Sequence, residues 1–131
     1  MPDQQPIELI LLRQLASYLA VPFWIMDQSG TLLYYNEPAE ELLGIRFDDA
    51  GPLRAEQLSE MFTVTDLEGK PIEAEDFPLL TALMKQVPSH RAVRYRGMDG
   101  VSHKVDVTAM PVWGQGNRFV GAFAAFWESE D

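Results

Sequence analysis

Two histidines, His90 and His103, are the only imidazoles in this chain, and it contains no cysteine. Together these facts remove whole chemistries. Without a thiolate there is no disulfide, no cysteine nucleophile, no Cys-ligated zinc, no iron–sulfur cluster and no flavin–cysteinyl adduct. No HExxH or HxH spacing occurs, so a metal would have to lean on carboxylates. Glu37, Glu40 and Glu41 read as the solvated face of a helix. A carboxylate enzyme needs a buried Asp or Glu with a raised pKa. No paired carboxylates fall on inward positions, and Asp106 falls on the outward parity of its strand. No catalytic residue and no metal ligand is predicted.

The bulk numbers narrow the partners. The chain has 131 residues, 47% of them apolar and 23% charged, which suits one globular domain with one core. Twenty Asp and Glu against ten Lys and Arg give a net charge of −10. Such a surface repels phosphate backbones and anionic lipid heads, so neither nucleic acid nor membrane is an expected partner. The longest apolar run, 119–127, is interrupted by Gly121 and falls short of the roughly 20 residues of a membrane span. The opening MPDQQP carries no basic signal region, and a cytoplasmic location is expected.

The elements that must position any site follow from spacing. Residues 6–20 read as a helix, with Pro6 at its start and Leu11, Leu12, Leu15, Tyr18 and Leu19 at helical intervals. Its apolar surface exceeds what one sheet face can cover, and surplus exposed leucine argues for a partner. FWIMD and TLLYYN form a hairpin joined by DQSG, where Gly30 accepts positive φ. Asn36 caps a short helix that stops at Gly44. Residues 46–76 read as irregular, with a short helix at 55–61 and a turn at 66–69. A further helix spans 78–86 and ends before Pro88.

Strands at 91–96, 101–112 and 119–127 complete the chain. Gly97-Met98-Asp99-Gly100 turns the first pair, and residues 114–117 turn the second. Along 101–112, Val101, His103, Val105, Val107 and Ala109 share one face. Residues 119–127 are apolar on both faces and belong at the centre of a sheet, beside 23–27. Strands split by a helical block imply an α+β fold with an antiparallel sheet.

The stretch PFWIMDQSGTLLYYNEPAEELLG resembles the opening hairpin and capped helix of the PAS sensory-domain family. DLEGKPIEAEDFPLLTALM and MDGVSHKVDVTAMPVWGQGNRFVGAFAAFWE are similar to its connector, long helix and last two strands. The resemblance implies a five-stranded sheet of order 2-1-5-4-3, short helices around a pocket on one face, and an N-terminal helix on the other. Residues 1–20 are then a dimerisation or cover helix, 21–128 the PAS unit, and 129–131 a solvated tail. It implies signal perception and contact with a downstream kinase or transcription regulator, in cis or in trans, without catalysis. The family's cysteinyl-flavin and cinnamate chemistries need a cysteine and are excluded. Its haem branch uses a histidine on the long helix, where 78–86 has none; His90 lies beyond Pro88 and reads as a solvated loop residue. His103 reads as a partly buried histidine satisfied by a carboxylate or carbonyl.

The same resemblance places pocket candidates at Tyr34, Leu79, Leu83, Met84, Val105, Val107 and Phe126, with Asn36 holding the pocket mouth. Small residues Gly121, Ala122, Ala124 and Ala125 leave room for a fatty or aromatic acid, or for a closely packed helix. A core filled by Trp24, Phe62 and Trp127 is the alternative. Leu11, Leu12, Leu15, Tyr18 and Leu19 are the candidates for a homodimer interface.

Overall fold

The computed structural model describes residues 6–54, 57, 63–73, 76–96 and 100–129. Helix α1 is Ile7–Ala16, shorter than expected because the chain leaves the helix at Ser17, the C-cap. Strands β1 (Phe23–Asp27) and β2 (Thr31–Tyr35) form the expected hairpin. One Asp27 oxygen accepts from the Ser29 and Thr31 amides at 2.9 and 3.0 Å, and Gly30 takes φ 89°. A short polar side chain followed by a residue free to adopt positive φ is what this turn requires.

Helix α2 (Glu37–Leu43) starts at Asn36 and stops at Gly44, which is left-handed with φ 82°. Residues 46–76 hold more structure than the sequence suggests: helix α3 (Phe47–Ala50) and strands β3 (Leu53–Arg54) and β4 (Thr63–Thr65). Elements this short carry no readable period; distant pairing partners define them. Except for Gln57, the helix expected at 55–61 lies outside the described residues, as do Phe62 and the turn residues 97–99. Helix α4 is Pro78–Lys85, ended by Gln86 in the left-handed conformation.

Strands β5 (Ser89–Arg96), β6 (Ser102–Trp113) and β7 (Phe119–Glu128) finish the chain. His90 therefore sits within a strand rather than in a loop; its exposed edge position pairs with Thr108. The antiparallel sheet runs β3-β2-β1-β7-β6-β5-β4. Its five principal strands keep the expected 2-1-5-4-3 order, and the two short edge strands raise the count to seven. β7 lies between β1 and β6, with Ile25 opposite Phe123. At Gly121 the two strands come so close that a Cβ would overlap the Met26 carbonyl oxygen, so only glycine fits.

Each face of the sheet buries its own cluster. On one face, Leu9 and Ala16 of α1 pack with Phe23, Ile25 and Val120. On the other, α2, α3 and α4 cover Trp24, Met26, Leu32, Val105, Val107, Ala124 and Phe126. The expected layering, one helix on one side and short helices on the other, is the one observed.

Candidate functional site: an apolar cavity and the helix across the sheet

Under the short helices lies a cavity of about 30 Å³ with a wholly apolar lining. Its floor is the sheet: Trp24, Ala124, Phe126, Val105 and Val107, then Val93 and Tyr95 toward the edge. Leu43, Val64 and Phe77 close the sides. The small Ala124 leaves space that the aromatics reclaim. Trp24 meets Phe126 edge to face at 5.2 Å and stacks with Phe77 at 6.5 Å. What remains is a small, wholly apolar void.

The cavity presents no exposed polar surface to a bound group. The Tyr95 hydroxyl is committed to the Leu42 carbonyl at the end of α2. Among the described residues no Asp or Glu is fully buried; Asn36 is the buried polar side chain. Asp106 lies on the outer face and accepts from the Ser129 hydroxyl at 2.7 Å.

The structure separates the expected pocket residues. Val105, Val107 and Phe126 line the cavity. Leu79 and Leu83 are buried in the same core without reaching it. Met84 is 66% exposed on the far side of α4 and is no lining residue. Tyr34 is also misplaced by simple alternation. A bulge between Ile25 and Met26 shifts the hairpin register, so Leu32 and Tyr35 face the cavity side while Tyr34 pairs with Ile25 on the α1 side. One extra residue in a strand inverts every later side chain. Trp127 points outward, beside His90, and fills no core. Val93, Tyr95 and Leu43 were not anticipated as lining. The alternation in RAVRYR, read across the Asp-Gly turn, points Val93 and Tyr95 to the same face as Val105.

Asn36 is not among the residues that line the cavity; it sits at the joint of three elements. Its Oδ1 accepts from the Phe23 amide at 3.0 Å and the Ala39 amide at 3.2 Å. Its Nδ2 donates to the carbonyls of Ala16 and Val21, each at 2.9 Å. One amide thus joins the end of α1, the start of β1 and the start of α2, with all its hydrogen-bonding groups engaged.

Arg13 adds a second link. Its guanidinium lies 4.6 Å from the centre of the Tyr34 ring and 5.7 Å from that of Phe47. Burial pushes the Tyr34 hydroxyl pKa up, against the opposing pull of Arg13. Neighbouring Tyr35 donates to the Ile45 carbonyl at 2.9 Å, and burial, then Glu40 and Asp49, push its pKa up to about 12.

The apolar residues of α1 and of the turn that follows it form two stripes. Leu9, Leu12, Ala16 and Leu19 pack on the sheet. Leu12 and Leu19 are thus cover residues rather than free interface residues. Ile7, Leu11, Leu15 and Tyr18 face solvent; Leu11 and Leu15 are each 55% exposed and Tyr18 is 82% exposed. No helix among the described residues is long and apolar enough to cross a membrane.

His103 lies at the end of β6 nearest the Tyr95 side of the cavity. Its Nδ1 is 3.2 Å from a Glu128 oxygen, and its ring stacks on Tyr95 at 5.5 Å.

No protein-family model and no curated protein matches the chain. Solved structures do resemble it. The PAS domain of a protein from Colwellia psychrerythraea shares 18% identity at a TM-score of 0.66, over 92% of this chain and 97% of that one. The PAS domain of nitrogen regulation protein NR(II) from Vibrio parahaemolyticus shares 17% at 0.60, over 91% and 98%. The PAS domain of the fruit-fly ELK potassium channel shares 10% at 0.71, over 92% and 95%. Identities this low speak to the fold alone.

Proposed function

From the premise that the chain has the PAS fold, we propose that it is a sensory or regulatory module that dimerises through α1 and carries no catalytic centre. The observation that supports this best is the second stripe of α1. Leucines and a tyrosine left in water at helical spacing on one short segment suit a second copy of that segment. The inner stripe, Asn36 and Arg13 hold that helix to the sheet whose other face walls the cavity. A shift on one face then reaches the other through the shared strands. The downstream partner is a kinase or transcription regulator, in cis or in trans, in the cytoplasm. The net charge of −10 favours a protein partner over nucleic acid or lipid.

Sedimentation equilibrium tests the dimer. The wild-type chain is expected as a dimer and the double variant Leu11→Glu, Leu15→Glu as a folded monomer. A monomeric wild-type chain at high micromolar concentration overturns it. A second reading, a receptor for a small aromatic or fatty acid, draws on the wholly apolar cavity lining. It requires the cavity to widen well beyond its present volume. Native mass spectrometry of protein from its own host decides that reading, through a retained small mass or none.

A further inference from the structure

Alternation along β5 and β6 sends Val93, Tyr95, Val105 and Val107 into the core and their neighbours to the outer face, the face on which α1 lies. α1 packs on Phe23, Ile25 and Val120, with Val112, Phe123 and Ala125 at its margin. Beyond that margin the outer face is open. His90, Arg94, Arg96 and Met110 are exposed there.

This open half is graded by charge. The register sets Arg94 directly opposite Lys104, with Arg96 opposite Ser102 one row further out. Like charges facing each other on neighbouring strands repel, so the pairing works against the fold. The row on the other side holds Ala92, Asp106 and Trp127, and Met110 lies two rows beyond, opposite Phe123. Basic side chains stand at one end and apolar ones at the other. Trp127 is 41% and Met110 44% exposed, and the His90 ring lies 6.4 Å from that of Trp127. The Arg94 Nε donates to the Leu67 carbonyl at 3.3 Å, which orients the guanidinium without cancelling its charge. Neither Arg94 nor Arg96 has an ion-pair partner among the described residues. Asp106 already accepts from the Ser129 hydroxyl. On a chain of net charge −10, this end of the face is a local reversal of sign.

We propose that the outer face of β5, β6 and β7 receives an acidic amphipathic helix of the downstream protein partner. Its carboxylates meet Arg94 and Arg96, and its apolar side chains lie over Ala92, Trp127 and Met110. A sheet face takes a helix, as α1 shows on the same side. From Lys104 to Met110 a strand runs about 20 Å, the length of a helix of about 14 residues. The α1 helix of a second copy does not supply the acids: its Glu8 carboxylate packs against Gly114. The inference rests on the reading of the chain as a regulatory module with a protein partner, and it names the surface and the chemistry of that contact.

The probe is a synthetic helix of about 14 residues, with glutamates in its first turns and leucines further along one face, titrated into the isotope-labelled full chain and followed by NMR. The amides of Ala92, Arg94, Thr108 and Trp127 are expected to shift together. Affinity is expected to fall about tenfold in the Arg94→Glu, Arg96→Glu variant, and to fall with added salt in the wild type. Trp127→Ser weakens binding and leaves the salt dependence in place. If the glutamate pair does not fold, Arg94→Gln, Arg96→Gln gives a smaller loss in the same direction. Leu11→Glu, Leu15→Glu leaves binding intact, so failure of the α1 dimer and failure of this contact are told apart. Equal binding by a peptide with lysines in place of the glutamates overturns the proposal, as do shifts confined to α1 or no shifts at millimolar peptide. An oligonucleotide that produces the same shifts also overturns it. So does a wild-type dimer that Arg94→Glu, Arg96→Glu turns into a monomer, which assigns the face to a second copy.

Discussion

The side-chain amide of Asn36 donates to the carbonyl of Ala16, at the far end of α1, over 2.9 Å. That bond joins a helix on one face of the sheet to the residue that starts a helix on the other. It gives the two layers a common fixed point.

Asn36→Ala breaks all four bonds at once. The Phe23 and Ala39 amides and two carbonyls lose their partner in a site that water does not reach. A loss of about 3 kcal/mol is expected, read from urea unfolding. Asn36→Asp keeps both acceptor bonds but turns an anion toward two carbonyl oxygens, and is expected to be destabilised as well. An alanine variant within experimental error of the wild type would contradict this role.

Gly121→Ala tests the close approach of β1 and β7. The added methyl has no space beside the Met26 carbonyl, and backbone must move. The expected cost is about 2 kcal/mol or more, with the hydrogen-exchange protection of Ile25 and Met26 reduced. Unchanged protection would mean that the strands already sit further apart.

Tyr35 predicts an alkaline limit to stability. Its pKa rises from 10.0 to about 12 on folding, so the folded chain holds that proton more tightly than the unfolded one. The stabilisation is complete below pH 10 and lost as pH rises through about 12. Tyr35→Phe is expected to lose about 1 kcal/mol at pH 7, with its bond to Ile45, and to decline less steeply above pH 10. Urea midpoints at pH 9 and pH 11.5 give the comparison.

Trp24→Ala enlarges the cavity. A loss of about 4 kcal/mol is expected. The space left is apolar, so indole added to the variant is expected to raise its Tm while leaving the wild type unaffected. No response from the variant would indicate that the side helices collapse into the void.

The sequence showed most of the frame and less of the site. Asp27 with Gly30, and Asn36 with Gly44, act through local backbone geometry, and their elements stood where expected. The doubly apolar 119–127 run marked the central strand for the same kind of reason. Tyr34 did not follow, because a bulge is a property of two paired strands and neither one announces it. Both stripes of residues 7–19, Leu9-Leu12-Ala16-Leu19 and Ile7-Leu11-Leu15-Tyr18, have helical spacing in the sequence; only the docked segment distinguishes the inner one. Cavity volume depends on how Trp24, Phe77 and Phe126 interlock, and no pattern of residue types carries that.

The place of β7 also sets the order of assembly. β1 is made well before β7, its inner neighbour in the sheet. Until β7 arrives, Phe23 and Ile25 on one side and Trp24 and Met26 on the other have an open edge where a strand should be. The nascent chain must keep that edge from foreign strands until 119–128 is made, and a truncation before Phe119 leaves it exposed for good.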